Sequence, residues 1–102
     1  GGGQTKVMNF VNNVHIIKDN LFPTPQYAKT IWEAGKIESW HEMYKNFNMG
    51  HRMEVYVEDD KTATKLINTA LQYNVKAQIV GSVEEFNGKK LTIRHDGNTD
   101  IY

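Results

Sequence analysis

Two short stretches of this chain carry the residue types that hold anions. The first is Gly1-Gly2-Gly3-Gln4-Thr5-Lys6, a glycine run leading into a helix start. Free backbone N–H groups and the positive end of a helix dipole make a generic phosphate site. The competing reading is a frayed terminus. The second stretch is Asn48-Met49-Gly50-His51-Arg52, a turn followed by a basic pair. Turns beside rigid elements often carry function. Its competing reading is a helix stop followed by a solvated strand edge. Other candidates are weaker. Glu84-Glu85 has the form of a carboxylate pair but sits beside a turn, where such pairs are usually solvated. His15, His41 and His51 fall in different elements and lack metal-ligand spacing, and His95 sits at a turn, so no metal site is expected. His41 and Glu42 lie in a capped first turn. Trp32 and Trp40 read as core or interface anchors rather than a base-stacking platform, because basic residues do not interleave with them. Residue type and spacing name no catalytic group.

The elements that position the second stretch are well signalled. Trp40, Met43, Tyr44 and Phe47 recur at i, i+3, i+4 and i+7, one face of a helix. Ser39 and Glu42 form a capping box at its start. Asn48 and Gly50 both tolerate positive φ, so the helix can end there. From Arg52 the period becomes two: Met53, Val55 and Val57 alternate with Arg52, Glu54, Tyr56 and Glu58, predicting a strand. Upstream, a helix is predicted over 4–12, with Val7, Met8 and Val11 on one face and Phe10 at its edge. A strand follows over 14–18, with Ile16 buried and Lys18 leaving the core. Thr24 then reads as an N-cap with Pro25 at the first helical position and Gly35 just past the end. Downstream, Asp59 caps a helix reaching about Tyr73, whose Ala63, Leu66, Ile67, Ala70 and Leu71 give the clearest helical period. A strand over 76–83 would complete a right-handed βαβ unit. Asn87-Gly88 predicts a tight hairpin turn, returning the chain through 90–94. A further turn at 95–98 leads to a short edge segment at Ile101-Tyr102. The predicted class is α+β, a mixed sheet packed against helices in the order α-β-α-α-β-α-β-β.

Composition excludes several functions. Lys+Arg and Asp+Glu both number 12 in 102 residues, which leaves no electrostatic footprint for nucleic acid. Cysteine is absent, so there is no disulfide frame and no thiolate chemistry. No apolar run approaches a membrane span, so no membrane partner is expected and a cytoplasmic location is the default.

The run Glu42-Met43-Tyr44-Lys45-Asn46-Phe47-Asn48-Met49-Gly50 resembles the Glu-Met…Phe-Asn-Met-Gly segment of the phosphoribosylformylglycinamidine cyclo-ligases (AIR synthases) of purine biosynthesis. Three further stretches agree in order: the glycine run, Leu21-Phe22-Pro23-Thr24-Pro25, and Ala77 through Val83. The resemblance covers essentially the whole chain and implies an AIR synthase C-terminal-domain-like fold over residues 1–102, incomplete on its N-terminal side. It implies an enzyme that closes the imidazole ring of phosphoribosylformylglycinamidine with ATP, releasing aminoimidazole ribonucleotide, ADP and phosphate. In the implied mechanism the formyl amide oxygen is activated by phosphoryl transfer and an internal nitrogen then attacks the activated carbon.

In such enzymes ATP and Mg are held mainly by an N-terminal domain that has no counterpart in these residues, and the full protein is a homodimer. No cofactor is therefore expected in this stretch alone, and it should be inactive by itself. Carried over residue by residue, the resemblance makes Gly1, Gly2, Gly3, Gln4 and Thr5 a binding site for the substrate's phosphate. It makes Asn48, Met49, Gly50, His51 and Arg52 residues that shape the cleft, although His51-Arg52 depart from the small residues common after this motif. Two alternatives stand beside it. One is the equivalent domain of a related ATP-dependent enzyme: formylglycinamidine ribonucleotide amidotransferase, selenophosphate synthetase or a hydrogenase-maturation protein. The other is a non-catalytic binding or assembly module.

Overall fold

The computed structural model describes residues 3–37 and 39–102. Among them four strands form one mixed sheet in the order β2-β1-β3-β4. These are β1 (Val14–Lys18), β2 (Gly81–Glu85), β3 (Lys89–His95) and β4 (Asn98–Ile101). β1 runs antiparallel to β2 and parallel to β3, and β4 returns antiparallel along β3. The helices are α1 (Gln26–Gly35), α2 (Trp40–Asn46) and α3 (Asp60–Gln72), preceded by a 3-10 helix over Gly3–Asn9. The class is thus α+β, as predicted, but the order of elements is not the predicted one.

Alternation along the two central strands builds the core. Register sets Ile16 beside Leu91 and Lys18 beside Ile93, so these side chains share one face of the sheet. Ile16, Leu91 and Ile93 are buried there with Ala28 of α1, Met43 and Tyr44 of α2, and Met49 just beyond it. Trp40 and Phe47 pack at the margin, so the apolar face read for α2 is the one that faces the core. The Ser39 hydroxyl accepts from the Glu42 N–H, and the Asp59 carboxylate accepts from the Thr62 N–H at 2.7 Å. The Asp59 cap closes as read; of the capping box the Ser39 arm forms, while Glu42 Oε2 accepts from Asn46 Nδ2.

Six expectations fail; the strand over 76–83 is paired only over Gly81–Glu85, and the other five follow. The alternating segment 52–58 belongs to no strand: among the described residues its backbone finds no ladder partner. A period of two prepares a strand but does not supply its neighbour. Without that strand the expected βαβ unit does not form among the described residues, and the parallel pair is β1 with β3. The turn at Asn87-Gly88 makes no tight hairpin, because β1 lies between the strands it joins. The two-residue hairpin is instead at Asp96-Gly97, both at positive φ (47° and 79°), the primed geometry that joins β3 to β4. The first helix is 3-10 and ends at Asn9. At α1 the register shifts by one residue. Pro25 occupies the N-cap position without a side-chain cap, and Lys36, at φ 51°, takes the left-handed C-cap. Glu38, in the linker before α2, lies outside the described residues.

α3 has the predicted period, yet none of its residues is buried. Leu66 and Leu71 stay exposed. After it the chain is tied to the end of β1 by polar contacts: Asn20 Nδ2 donates to the Ile79 carbonyl and Gln78 Nε2 to the Asn20 carbonyl, each at 2.7 Å.

Candidate functional site

The two anion-suited stretches meet. The 3-10 helix lies against the C-terminal end of α2, and Gly3 makes the approach possible. At Gly3, φ is +47°, and a Cβ would stand 2.5 Å from the Phe47 nitrogen and 2.7 Å from the Asn46 carbonyl carbon. No side chain fits against that backbone. Gln4 is buried, and its Nε2 donates to the Asn48 carbonyl at 2.6 Å.

Beyond α2 the turn is made by Met49 and Gly50, at φ 55° and 91°. Left-handed geometry is expected at Asn48 and Gly50; Met49 takes the first of these places, with its side chain sealed in the core. The His51 N–H closes the turn onto the Asn48 carbonyl at 3.1 Å. His51 itself is buried against the Phe22 ring, and its Nε2 accepts the Phe22 N–H at 3.3 Å. Burial is the main cause that lowers the His51 pKa from its usual 6.5. Glu54 nearby pulls the other way, and Lys18 adds to the lowering.

Beneath the meeting point lies a polar relay that sequence reasoning misses. Lys18 is expected to leave the core, but alternation places it on the inward face with Ile16, and it is 2% exposed. Its Nζ donates to the Gln4 carbonyl (3.1 Å), to Gln4 Oε1 (2.6 Å) and to both Glu54 oxygens (2.9 Å each). The Tyr56 hydroxyl donates to Glu54 Oε2 at 3.1 Å. Burial lowers the Lys18 pKa, while the hydrogen bond and the charge of Glu54 oppose that shift. Burial, then the Glu54 charge and hydrogen bond, raise the Tyr56 pKa, so the phenol stays protonated. One buried cation thus ties β1, the 3-10 helix and segment 52–58 together. The available signal is the spacing of two from Ile16.

Above the relay is an open cleft of about 270 Å³, lined among others by Gly3, Gln4, Lys6, Asn48, His51, Arg52, Glu54 and Tyr56, with Phe10 and Met53 as apolar walls. Of the first stretch, Gly3 and Gln4 line it; Thr5 does not, and its hydroxyl donates to the Lys45 carbonyl. Gly1 and Gly2 lie outside the described residues. Of the second stretch, Asn48, His51 and Arg52 line the cleft. Met49 belongs to the core, and Gly50 faces Pro25, whose Cγ would be 3.3 Å from a Cβ. Glu54 is neutralised by Lys18, whereas among the described residues no carboxylate pairs with Lys6 or Arg52. The cleft therefore presents two positive side chains and favours an anion.

The remaining sequence candidates are placed elsewhere. Glu84 and Glu85 are exposed on the edge strand β2. His41 and His95 meet around Asp100, at 3.5 Å and 2.6 Å. Among the described residues no group of side chains could hold a metal ion. Among them, too, no helix is long and apolar enough to cross a membrane.

No protein-family model matches the chain. Curated relatives do. Phosphoribosylformylglycinamidine cyclo-ligase of Methanocaldococcus jannaschii is 35% identical over 94 residues, covering 89% of this chain and 26% of the relative. That of Methanopyrus kandleri is 32% identical, covering 96% of this chain and 27% of the relative. That of Methanococcus vannielii is 32% identical, covering 89% and 30%. The chain spans between a quarter and a third of the length of the curated relatives it matches. By this similarity the chain is related, over most of its length, to a short part of the phosphoribosylformylglycinamidine cyclo-ligases.

Proposed function

We propose that the chain is the substrate-holding, C-terminal part of a cyclo-ligase that closes the imidazole ring of phosphoribosylformylglycinamidine with ATP. The observation that carries this reading is the cleft itself. Two stretches more than forty residues apart, joined by the Gln4 to Asn48 hydrogen bond, converge on a basic opening sized for part of a phosphorylated ribose. Arg52 and Lys6 supply charge for the phosphate, and Arg52 can do so bidentately. Gln4 is held by Lys18, so its backbone has a fixed place. Phe10, Met53 and Tyr56 offer apolar surface to a sugar.

The same donors do not suit a Mg-nucleotide. The cleft's carboxylate, Glu54, is engaged by Lys18 and Tyr56, and a Mg site uses carboxylates together with phosphates. No step through ATP or Mg is therefore derived from these residues. Phosphoryl transfer belongs, in this reading, to another part of the full protein, and this chain contributes binding and orientation.

Calorimetric titration tests the proposal. Phosphoribosylformylglycinamidine should bind with measurable heat, and Arg52→Ala should weaken that binding at least several-fold. Equal affinity in the Arg52→Ala and parent chains, or no heat from the substrate at high micromolar protein, would remove the cleft from the reaction.

A further inference from the structure

Arg52, Glu54 and Tyr56 all line the cleft. A guanidinium and a carboxylate two residues apart in one cleft are ready partners for a two-pronged ion pair. Glu54 instead gives its oxygens to two other groups. Lys18 Nζ lies 2.9 Å from each, and the Tyr56 hydroxyl donates to Oε2 at 3.1 Å. Lys18 itself is beneath the cleft and does not line it, whereas the Glu54 side chain is 21% exposed and borders the opening.

We propose that Lys18 is a positioning residue for the anion site: with Tyr56 it holds the Glu54 carboxylate off Arg52 and so keeps the guanidinium open to a phosphate. The proposal rests on the reading of this cleft as a phosphate-holding site. Charge decides its sign. With the buried pair intact, Lys18 and Glu54 cancel, and the charges of Lys6 and Arg52 are left over. Without the Lys18 ammonium, Glu54 is a carboxylate whose remaining cations in the cleft are those two. An Arg52–Glu54 fork then competes with phosphate for the same donors, and the added negative charge repels the ligand. Lys18 also grips Gln4, at its carbonyl and at Oε1. The two routes separate when Glu54 is removed as well. A loss through Gln4 survives that change, and a loss through Glu54 does not.

NMR titration of the chain with ribose 5-phosphate, read at the Asn48 amide and the Arg52 side chain, tests the proposal. Lys18→Met should weaken binding about ten-fold relative to the parent. Lys18→Met/Glu54→Leu should return it to within about two-fold of the parent. Tyr56→Phe keeps the ring and the buried pair but frees one oxygen of Glu54. It should weaken binding about two- to three-fold in the parent and have no effect when added to Lys18→Met/Glu54→Leu. That second comparison decides the matter if Lys18→Met does not fold. Phosphoribosylformylglycinamidine is titrated alongside. Ribose 5-phosphate bound in this order, with no binding of the whole substrate, would end the cyclo-ligase reading and leave the role of Lys18 standing. Three results, with both ligands bound by the parent, would overturn the role of Lys18 and leave that reading intact. These are equal binding by Lys18→Met, a loss that Glu54→Leu does not relieve, or a Tyr56→Phe loss that persists without Glu54. Failure of the parent to bind either ligand would overturn both.

Discussion

Lys18 decides more than any other single residue. A cation at 2% exposure survives because three oxygen groups receive its protons. Removing one partner of such a pair leaves a buried charge unpaired, which costs about 3–5 kcal/mol. Glu54→Gln should therefore lower stability by about that much in urea unfolding, whereas Lys18→Met with Glu54→Leu should recover most of the loss. An equal cost for both variants would show that the pair is stabilising in its own right.

His51 adds a pH dependence. Its pKa is lower folded than unfolded, so between the folded value and 6.5 the unfolded chain binds more protons. Stability should rise with pH through that window, and the penalty should be complete below the folded value. Protonation also removes the acceptor that Nε2 offers to the Phe22 N–H. His51→Gln should flatten the acid limb of a stability-against-pH curve; an unchanged limb would contradict the assignment to His51.

Among the elements, the turn at Met49-Gly50 fixes the direction in which the chain leaves α2. Gly50 stands at φ +91° with Pro25 against it, so a β-branched residue is strained twice. Gly50→Val should cost at least about 1–2 kcal/mol in a thermal or urea melt. A melt unchanged within error would show that the turn tolerates a side chain. α3 should behave oppositely. With no buried residue, its amides should exchange with solvent well before those of β1 and β3.

These elements also show what is legible in the sequence. Caps are local, needing one side chain and an amide three residues on, and those at Ser39 and Asp59 form as expected. Helical faces are nearly as local, and Met43, Tyr44 and Phe47 fall where their spacing puts them. Partners are not local. Nothing within 52–58 says whether a second strand lies alongside, and nothing at Asn87-Gly88 says that β1 intervenes. The site divides in the same way. In the candidate cleft, Asn48 is reached through a motif, His51 and Arg52 only through their place after it, and Gly3 and Gln4 through a glycine run. The Lys18–Glu54 pair joins residues 36 apart in sequence, and no local pattern pairs a lysine with a glutamate at that distance.

For the whole molecule, the curated relatives show a likeness to part of the cyclo-ligases, and the division of labour is what we propose. Mg-ATP should bind this chain without measurable stoichiometric heat, because its cleft offers one engaged carboxylate. Clear micromolar binding of Mg-ATP would overturn that division. The most direct measurement is an amide-resolved NMR titration of the chain with phosphoribosylformylglycinamidine. Saturable shifts are expected at Gly3, Gln4, Asn48, His51 and the Arg52 side chain, all reduced in Arg52→Ala. Shifts confined to other residues, or none at millimolar substrate, would contradict a substrate-holding cleft.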